Sequence, residues 1–366
     1  MHPTALLYTL SLIPGIGSKT LRDLIIHFGS AEAVWSADEK MLLTVNGLGP
    51  KTVSAILVGR ISLSPEKEWT NIVNQGIDIL AFTDEKYPRL LKEIPDAPAI
   101  IYVRGNYDWS DRPMIAIVGS RKFTPYGEQA TYRFAVDLAR AGYIVVSGLA
   151  FGIDSIAHKA VLDAEGVTLA VLGSGVDDAS ISPRSHLPLA KAVTNAGALI
   201  AEYPPGTQAT EGTFPARNRI MAGMCQGTLV IEAAEKSGTL ITARLALDYN
   251  REVFAVPGSI FSPVSIGTNA LIRAGAKIVT SVADILEEFP LPEKLLMNHA
   301  DVALPKNMRL SEKETLILKN LSHEPIHVDK IIKTTRLETP SAIATLSLLE
   351  IKGLAKNIGG MNYIKM

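Results

Sequence analysis

Six short apolar stretches follow one another through the middle of the chain, each running into a turn that carries glycine, and few folds accommodate that order. The stretches are Ile115–Val118, Ile144–Ser147, Leu169–Leu172, Leu199–Glu202, Leu229–Glu232 and Val253–Val256. The turns after them are Gly119-Ser120-Arg121, Gly148-Leu149-Ala150-Phe151-Gly152, Gly173-Ser174-Gly175, Pro204-Pro205-Gly206, Lys236-Ser237-Gly238-Thr239 and Pro257-Gly258. Helix-patterned segments lie between them. Continuous apolar strands alternating with helices predict a mostly parallel α/β sheet of Rossmann-like type, covered on both faces. In such sheets ligands bind outside the carboxyl ends of the strands, where glycine admits close approach and helix N-termini favour anions. A phosphate-bearing ligand is therefore expected.

The flanks follow other rules. Gly15-Ile16-Gly17-Ser18-Lys19-Thr20 recurs in register as Gly47-Leu48-Gly49-Pro50-Lys51-Thr52, each copy leading into an apolar-periodic segment (Leu21, Leu24, Ile25, Phe28; Val53, Ile56, Leu57). The repeat resembles the helix-hairpin-helix motif, whose backbone amides meet DNA phosphates without reading sequence; compact helical packing through glycine turns is the other reading. Two further strands, Ile77–Phe82 and Ile100–Val103, read as an extension of the central sheet. At the other end, Ser311 and Glu314 form a capping box before a helix, Val328–Thr334 gives a second, and Thr339-Pro340 caps a third that ends near Gly353. Strands 354–358 and 361–364 around a two-residue Gly359-Gly360 turn complete a winged helix. The expected division is a helical domain over 1–65, a Rossmann-like domain over 66–290, a Pro/Leu linker over 291–305 and a winged helix over 306–366.

Composition narrows the classes. The formal net charge is −1, so the strongly basic balance of many nucleic-acid proteins is absent; the segment 113–305 is itself acidic at −3, and only 306–366 is basic, at +4. One cysteine, Cys225, permits no internal disulfide and predicts a reducing, cytoplasmic setting. No run approaches about 18 apolar residues, so no membrane span is expected, and the apolar stretch 4–16 lacks the flanks of a signal peptide. Neither G-x-x-x-x-G-K-[ST] nor, after the first strand, G-x-G-x-x-G occurs, which argues against a P-loop ATPase and a dinucleotide-binding dehydrogenase. Asp154 and His158 share a helix face at i, i+4, a spacing open to metal binding or proton transfer, or to a capping aspartate beside a packed or phosphate-facing histidine.

The densest chemistry lies at Phe214-Pro215-Ala216-Arg217-Asn218-Arg219. Pro215 can precede or open a helix, which would set two guanidiniums and an amide in its first turn behind an aromatic ring, a composite for holding a phosphodiester and stacking a base. Pairing of both arginines with carboxylates is the structural alternative.

These runs, with Ser237-Gly238-Thr239-Leu240-Ile241-Thr242-Ala243, Phe254-Ala255-Val256-Pro257-Gly258 and Gly267-Thr268-Asn269-Ala270-Leu271-Ile272, closely resemble the DNA-processing protein A family (DprA, also called Smf) across most of residues 77–285. The resemblance implies a non-enzymatic single-stranded DNA-binding recombination mediator of natural transformation, which protects incoming strands, loads the RecA recombinase and forms a homodimer through the Rossmann-like domain, with contacts near Val264 to Ala276. No catalytic residue, metal or cofactor is implied. Carried over by position, the strand-binding surface is Gly119, Ser120, Arg121, Lys122, Ser147, Gly148, Gly152, Phe214, Arg217, Asn218 and Arg219, with Lys236, Ser237 and Thr239 added by geometry. Two departures stand out: Ala209-Thr210-Glu211-Gly212-Thr213 where the family commonly has a basic residue, and Ile181-Ser182-Pro183-Arg184 where it often has Tyr-Pro, so that Arg184 would replace a ring by a charge.

Two other readings stand beside this one. A nucleotide hydrolase of the lysine-decarboxylase-like group would carry Pro-Gly-Gly-x-Gly-Thr, whereas Glu235-Lys236-Ser237-Gly238-Thr239 has only the Gly-Thr. A sequence-specific regulator would need a base-reading third helix in the winged domain, yet residues 340–351 contain no Arg, Lys, Asn or Gln. That composition favours a protein-contact or accessory role for the winged helix.

Overall fold

The computed structural model describes residues 3–290 and 310–365, apart from residues 107, 110–111, 323 and 353. The chain divides into two compact units, residues 1–299 and 300–366. The expected linker over 291–305 lies outside the described residues.

In the first unit six helices open the chain: α1 (Pro3–Ser11), α2 (Ser18–Phe28), α3 (Ala31–Ser36), α4 (Glu39–Leu42), α5 (Pro50–Ser62) and α6 (Pro65–Val73). The repeated glycines do distinct jobs in each copy. Gly15 and Gly47 take φ values of +89° and +83°, open to glycine at little cost, while Gly17 and Gly49 cap α2 and α5. Gly59 lets α5 close on the turn after α1, since a Cβ there would sit 2.7 Å from the Ile13 side chain. These helices do not form a separate body. Leu10, Ile13 and Leu24 share one core with Tyr102, Leu199 and Ala201 of the sheet, Ser18 Oγ accepts the Ala99 amide at 2.7 Å, and α6 packs on α1. The boundary expected at residue 65 thus falls inside one compact unit, because the helical layer has the sheet as its apolar floor.

The sheet then builds in order: β1 (Asp78–Ala81), α7 (Arg89–Glu93), β2 (Ile100–Gly105), β3 (Met114–Val118), α8 (Pro125–Arg140), β4 (Ile144–Ser147), α9 (Ile153–Asp163), β5 (Thr168–Leu172), α10 (Leu187–Ala196), β6 (Ala198–Ala201), α11 (Thr213–Met224), β7 (Gly227–Val230), α12 (Gly238–Asp248), β8 (Glu252–Ala255), α13 (Ile266–Arg273), β9 (Lys277–Ile278) and α14 (Ala283–Leu286). The spatial order is β1-β2-β6-β5-β4-β3-β7-β8-β9, parallel from β6 to β9, with β1 and β2 added antiparallel at one edge. Successive strands move from β3 toward β6; the chain then returns to place β7 on the other side of β3. The switch in strand order therefore lies between β3 and β7, where crossovers leave opposite faces and open a crevice. Strands β3 to β6 are buried along their whole length, as sequences without polar alternation require.

The second unit contains α15 (Glu312–Asn320), β10 (Ile326–His327), α16 (Val328–Thr335), α17 (Thr339–Ile351), β11 (Ala355–Asn357) and β12 (Asn362–Lys365), around a core of its own that includes Ile317, Leu321, Val328, Ile331, Leu346 and Leu349. The capping box forms as read: Ser311 Oγ accepts the Glu314 amide and Glu314 accepts the Ser311 amide. Two details differ. Thr339 is the first residue within α17, and Glu338 holds the cap position without a side-chain bond. The wing turn has three residues rather than two: Ile358 bonds Asn362 across Gly359, Gly360 and Met361, all with positive φ. Gly353 lies outside the described residues.

Candidate nucleic-acid interface

Two adjoining cavities open at the switch point, of about 570 and 110 Å³. The larger is floored by Gly119 and Ser120 after β3, walled by Phe214, Pro215, Arg217 and Asn218 of α11, and closed by Lys236, Ser237 and Thr239 at the start of α12. Arg121 and Lys122 stand at its mouth, both exposed. The smaller cavity lies between Phe151, Phe214, Gly148, Ser174 and Pro183, with Arg121 and Arg217 on its wall. Helices α11 and α12 both present N-termini to the larger cavity, where unpaired amides and the helix dipole favour an anion.

A third N-terminus is already occupied. The Glu232 carboxylate, buried after β7, accepts the Thr124 amide at 3.0 Å and the Thr124 hydroxyl, capping the N-terminal end of α8. A Cβ on Gly127 would collide with that carboxylate. Burial raises the Glu232 pKa, opposed by the two Thr124 bonds. In a dinucleotide-binding fold the pyrophosphate takes the N-terminus after the first strand; here a carboxylate of the protein holds it.

Aromatic groups and cations alternate along the rim. The Arg121 guanidinium stands 5.4 Å from the centroid of the Phe214 ring, within cation–π range. Phe151, 52% exposed, meets His186 edge-on at 4.9 Å, and His186 Nδ1 donates to the Leu149 carbonyl at 2.9 Å. Thr239 Oγ1 donates to the Gly119 carbonyl at 3.0 Å, fixing the start of α12 to the β3 turn.

Most of the expected residues meet here: Gly119, Ser120, Arg121 and Lys122 from one turn, Phe214, Arg217 and Asn218 from α11, and Lys236, Ser237 and Thr239 from α12 line the larger cavity, and Gly148 lines the smaller. Three do not. Ser147 is buried in β4 and donates to the Ile117 carbonyl at 2.7 Å. Gly152 packs beneath the loop, its Cβ position 2.3 Å from the Ser120 carbonyl oxygen. Arg219 points away, donating to Glu202 at 2.5 Å and to the Asp96 carbonyl at 2.6 Å. The reason is helical: residues two apart lie about 200° around the axis, so Arg217 and Arg219 cannot share a face. Helix α11 also opens at Thr213, two residues before Pro215, which puts Arg217 beyond the first turn.

Arg217 itself is buried, at 5% exposure. Its Nη1 donates to the carbonyls of Gly148 and Val171, at 2.5 and 2.6 Å, and its Nε to Asn218 Oδ1 at 3.0 Å. Near it lies the buried Asp154 carboxylate, whose pKa burial raises while Arg217 and the amides of Ala150 and Gly148 pull it down. His158 is a packed histidine: Nδ1 shares a 2.8 Å hydrogen bond with Thr168 Oγ1, and burial pushes its pKa down to about 3. Among the described residues no group of three or more His, Cys, Asp or Glu side chains could hold a metal ion. Arg184, expected to offset the missing ring, bonds the Asp178 carbonyl and lines neither cavity.

Sequence reasoning missed Phe151, Ser174 and Pro183 as lining residues, and Glu211, which lines the larger cavity as an exposed acid. Phe151 carried a readable mark, a ring inside a loop bounded by glycines.

Comparison with known proteins agrees with this architecture. The family description "DNA recombination-mediator protein A" matches residues 78–290, "DprA winged helix domain" matches 303–361, and "SAM-like Helix-hairpin-helix tandem" matches 8–59. Protein Smf of Synechocystis is 33% identical over 96% of this chain and 96% of its own length; DNA processing protein DprA of Streptococcus pneumoniae is 43% identical over 59% of this chain and 75% of its own. The X-ray structure of DNA processing protein A from Streptococcus pneumoniae matches with a TM-score of 0.70 at 33% identity, covering 79% of this chain and 99% of that one. The Helicobacter pylori protein, whose structure concerns its single-stranded DNA binding mode, matches at 0.52 and 28% identity over 61% of this chain and 96% of that one. With a family match over more than half its length and a relative aligned over 96% of both chains, the chain belongs to the DNA recombination-mediator protein A (DprA/Smf) family.

Proposed function

We propose that this protein binds single-stranded DNA at the carboxyl edge of its sheet and acts on it as a recombination mediator rather than as an enzyme. The observation that carries the proposal is the convergence of exposed Arg121, Lys122 and Lys236 with the rings of Phe214 and Phe151 on one crevice bordered by two helix N-termini. Cations and amides suit the backbone phosphates, and rings suit unpaired bases of any sequence. A relative whose structure concerns single-stranded DNA binding supports the ligand class. Family membership supports the finer roles: protection of incoming strands in natural transformation, loading of RecA, and action as a homodimer in the cytoplasm. Asp154 lines the larger cavity, but His158 is wholly buried against Thr168, which favours a binding surface over acid–base chemistry by the two together.

The test is a titration of labelled oligonucleotide, single-stranded against duplex, with the mass of the complex read by light scattering. Preference for the single strand is expected, and Arg121→Ala should weaken it with the salt slope flattened by about 0.7. Equal binding of single strand and duplex, or parental binding by the Arg121 variant, would show the surface to be misassigned.

A further inference from the structure

We infer that Arg217 is a positioning residue, which holds the two turns of the strand-binding edge in register through backbone carbonyls instead of contacting the strand. The inference rests on the proposed single-strand function and concerns how its site is built. A phosphate ligand must offer free donors to an incoming anion. Arg217 lines both cavities but is buried, and two of its three guanidinium nitrogens are engaged within the protein: one serves two carbonyls and a second serves Asn218. Those carbonyls belong to Gly148, just past β4, and Val171, near the end of β5, so a side chain of α11 ties together the ends of two neighbouring strands. With the guanidinium in this place, a Cβ at position 148 would lie 2.0 Å from Nη1, so glycine there leaves the room that Arg217 occupies.

The fixed loop carries the consequence outward. From Gly148 the chain passes through Leu149, at φ +56°, and Gly152, at φ +81°, and Ile153 donates its amide to the Ser120 carbonyl. Gly152 itself lies against Ser120 and Arg121. One line of contacts thus runs from Arg217 through Gly148 and Gly152 to the turn bearing Arg121, and the same loop presents Phe151. Asp154, buried on the first turn of α9, acts on this guanidinium through its charge without an ion-pair contact to it.

The decisive measurement uses the full chain and a fluorescein-labelled thymidine oligonucleotide, with anisotropy followed over a salt series. Lysine keeps the charge but lacks the planar fork that reaches two carbonyls. Arg217→Lys should therefore lose about tenfold in affinity at every salt concentration, the equivalent of one charge-assisted hydrogen bond. Its salt slope and its stoichiometry at saturation should remain parental. Arg121→Lys, in contrast, should retain most of the binding, because a phosphate accepts a point charge. Parental affinity in Arg217→Lys, or a slope flattened by about 0.7 in Arg217→Gln, would make Arg217 a phosphate contact and overturn the inference. Should Arg217→Lys fail to fold, Gly148→Ala decides: a Cβ that displaces a positioning guanidinium should loosen the edge and weaken binding at an unchanged salt slope, whereas parental binding would overturn the inference. If Arg121→Ala binds like the parent, the strand-binding surface is wrong whatever Arg217 does.

Discussion

At the scale of single residues, the crevice separates two kinds of side chain that look alike in sequence. Arg121, exposed over the Phe214 ring, is free to meet a ligand, while Arg219, two residues from Arg217 on the same helix, is spent on Glu202 and Asp96. The rings should contribute through stacking alone. Phe214→Ala and Phe151→Ala are each expected to cost about 1–3 kcal/mol in single-strand affinity without changing the salt slope, as measured by anisotropy. His158 sets a second expectation. Its folded pKa of about 3 lies below the ordinary histidine value, so between those limits the unfolded chain takes up a proton that the folded chain refuses. Stability should fall by about 1.4 kcal/mol for each pH unit below about 6.5 on this account. Asp154 and Glu232, raised by burial, act in the opposite sense. The histidine contribution is therefore read as a difference: urea unfolding of His158→Gln should weaken less on acidification than that of the parent.

At the scale of elements, turns decide what strands and helices only frame. The loop 148–152 can reach the β3 turn because Gly152 has no side chain and adopts φ +81°. Gly152→Ala should destabilise the fold by about 1–3 kcal/mol through backbone strain, and it should weaken strand binding further by pushing the Ser120-Arg121 turn outward. Thermal unfolding together with an oligonucleotide titration checks both halves of that expectation. Much of this level was readable in advance. Strand positions followed from unbroken apolar runs, the helix-hairpin-helix repeat from glycines 32 residues apart, and the capping box from Ser311 and Glu314. What was not readable followed from phase and reach: α11 opened two residues early, and the wing turn took in Met361 with φ +62°. Local preferences do not set such boundaries; packing does.

At the scale of the whole molecule, charge is a local property of the crevice. The net charge of −1 gives no general attraction to nucleic acid. Three exposed cations at the crevice, Arg121, Lys122 and Lys236, should yield a slope of log affinity against log salt of about −2 per bound chain, at about 0.7 for each phosphate neutralised. A much steeper slope would place further basic surface on the path of the strand. The winged unit, whose α17 exposes Thr339, Pro340, Ala344, Ser347 and Leu348, carries on that helix none of the Arg, Lys, Asn or Gln side chains that make bidentate contacts to base edges. Among the described residues, no helix is long and apolar enough to cross a membrane.

Residues close together along the chain carry the alternation of strand and helix, the glycine after each of the six central strands, the repeated hairpin and the family resemblance. Which of those residues share a surface emerges on folding. Arg217 lies 69 positions from the carbonyl it holds and Glu232 lies 108 from the threonine it caps. Burial and hydrogen-bond partnership depend on what folds back against a residue, and helix phase sends neighbours such as Arg217 and Arg219 to opposite sides.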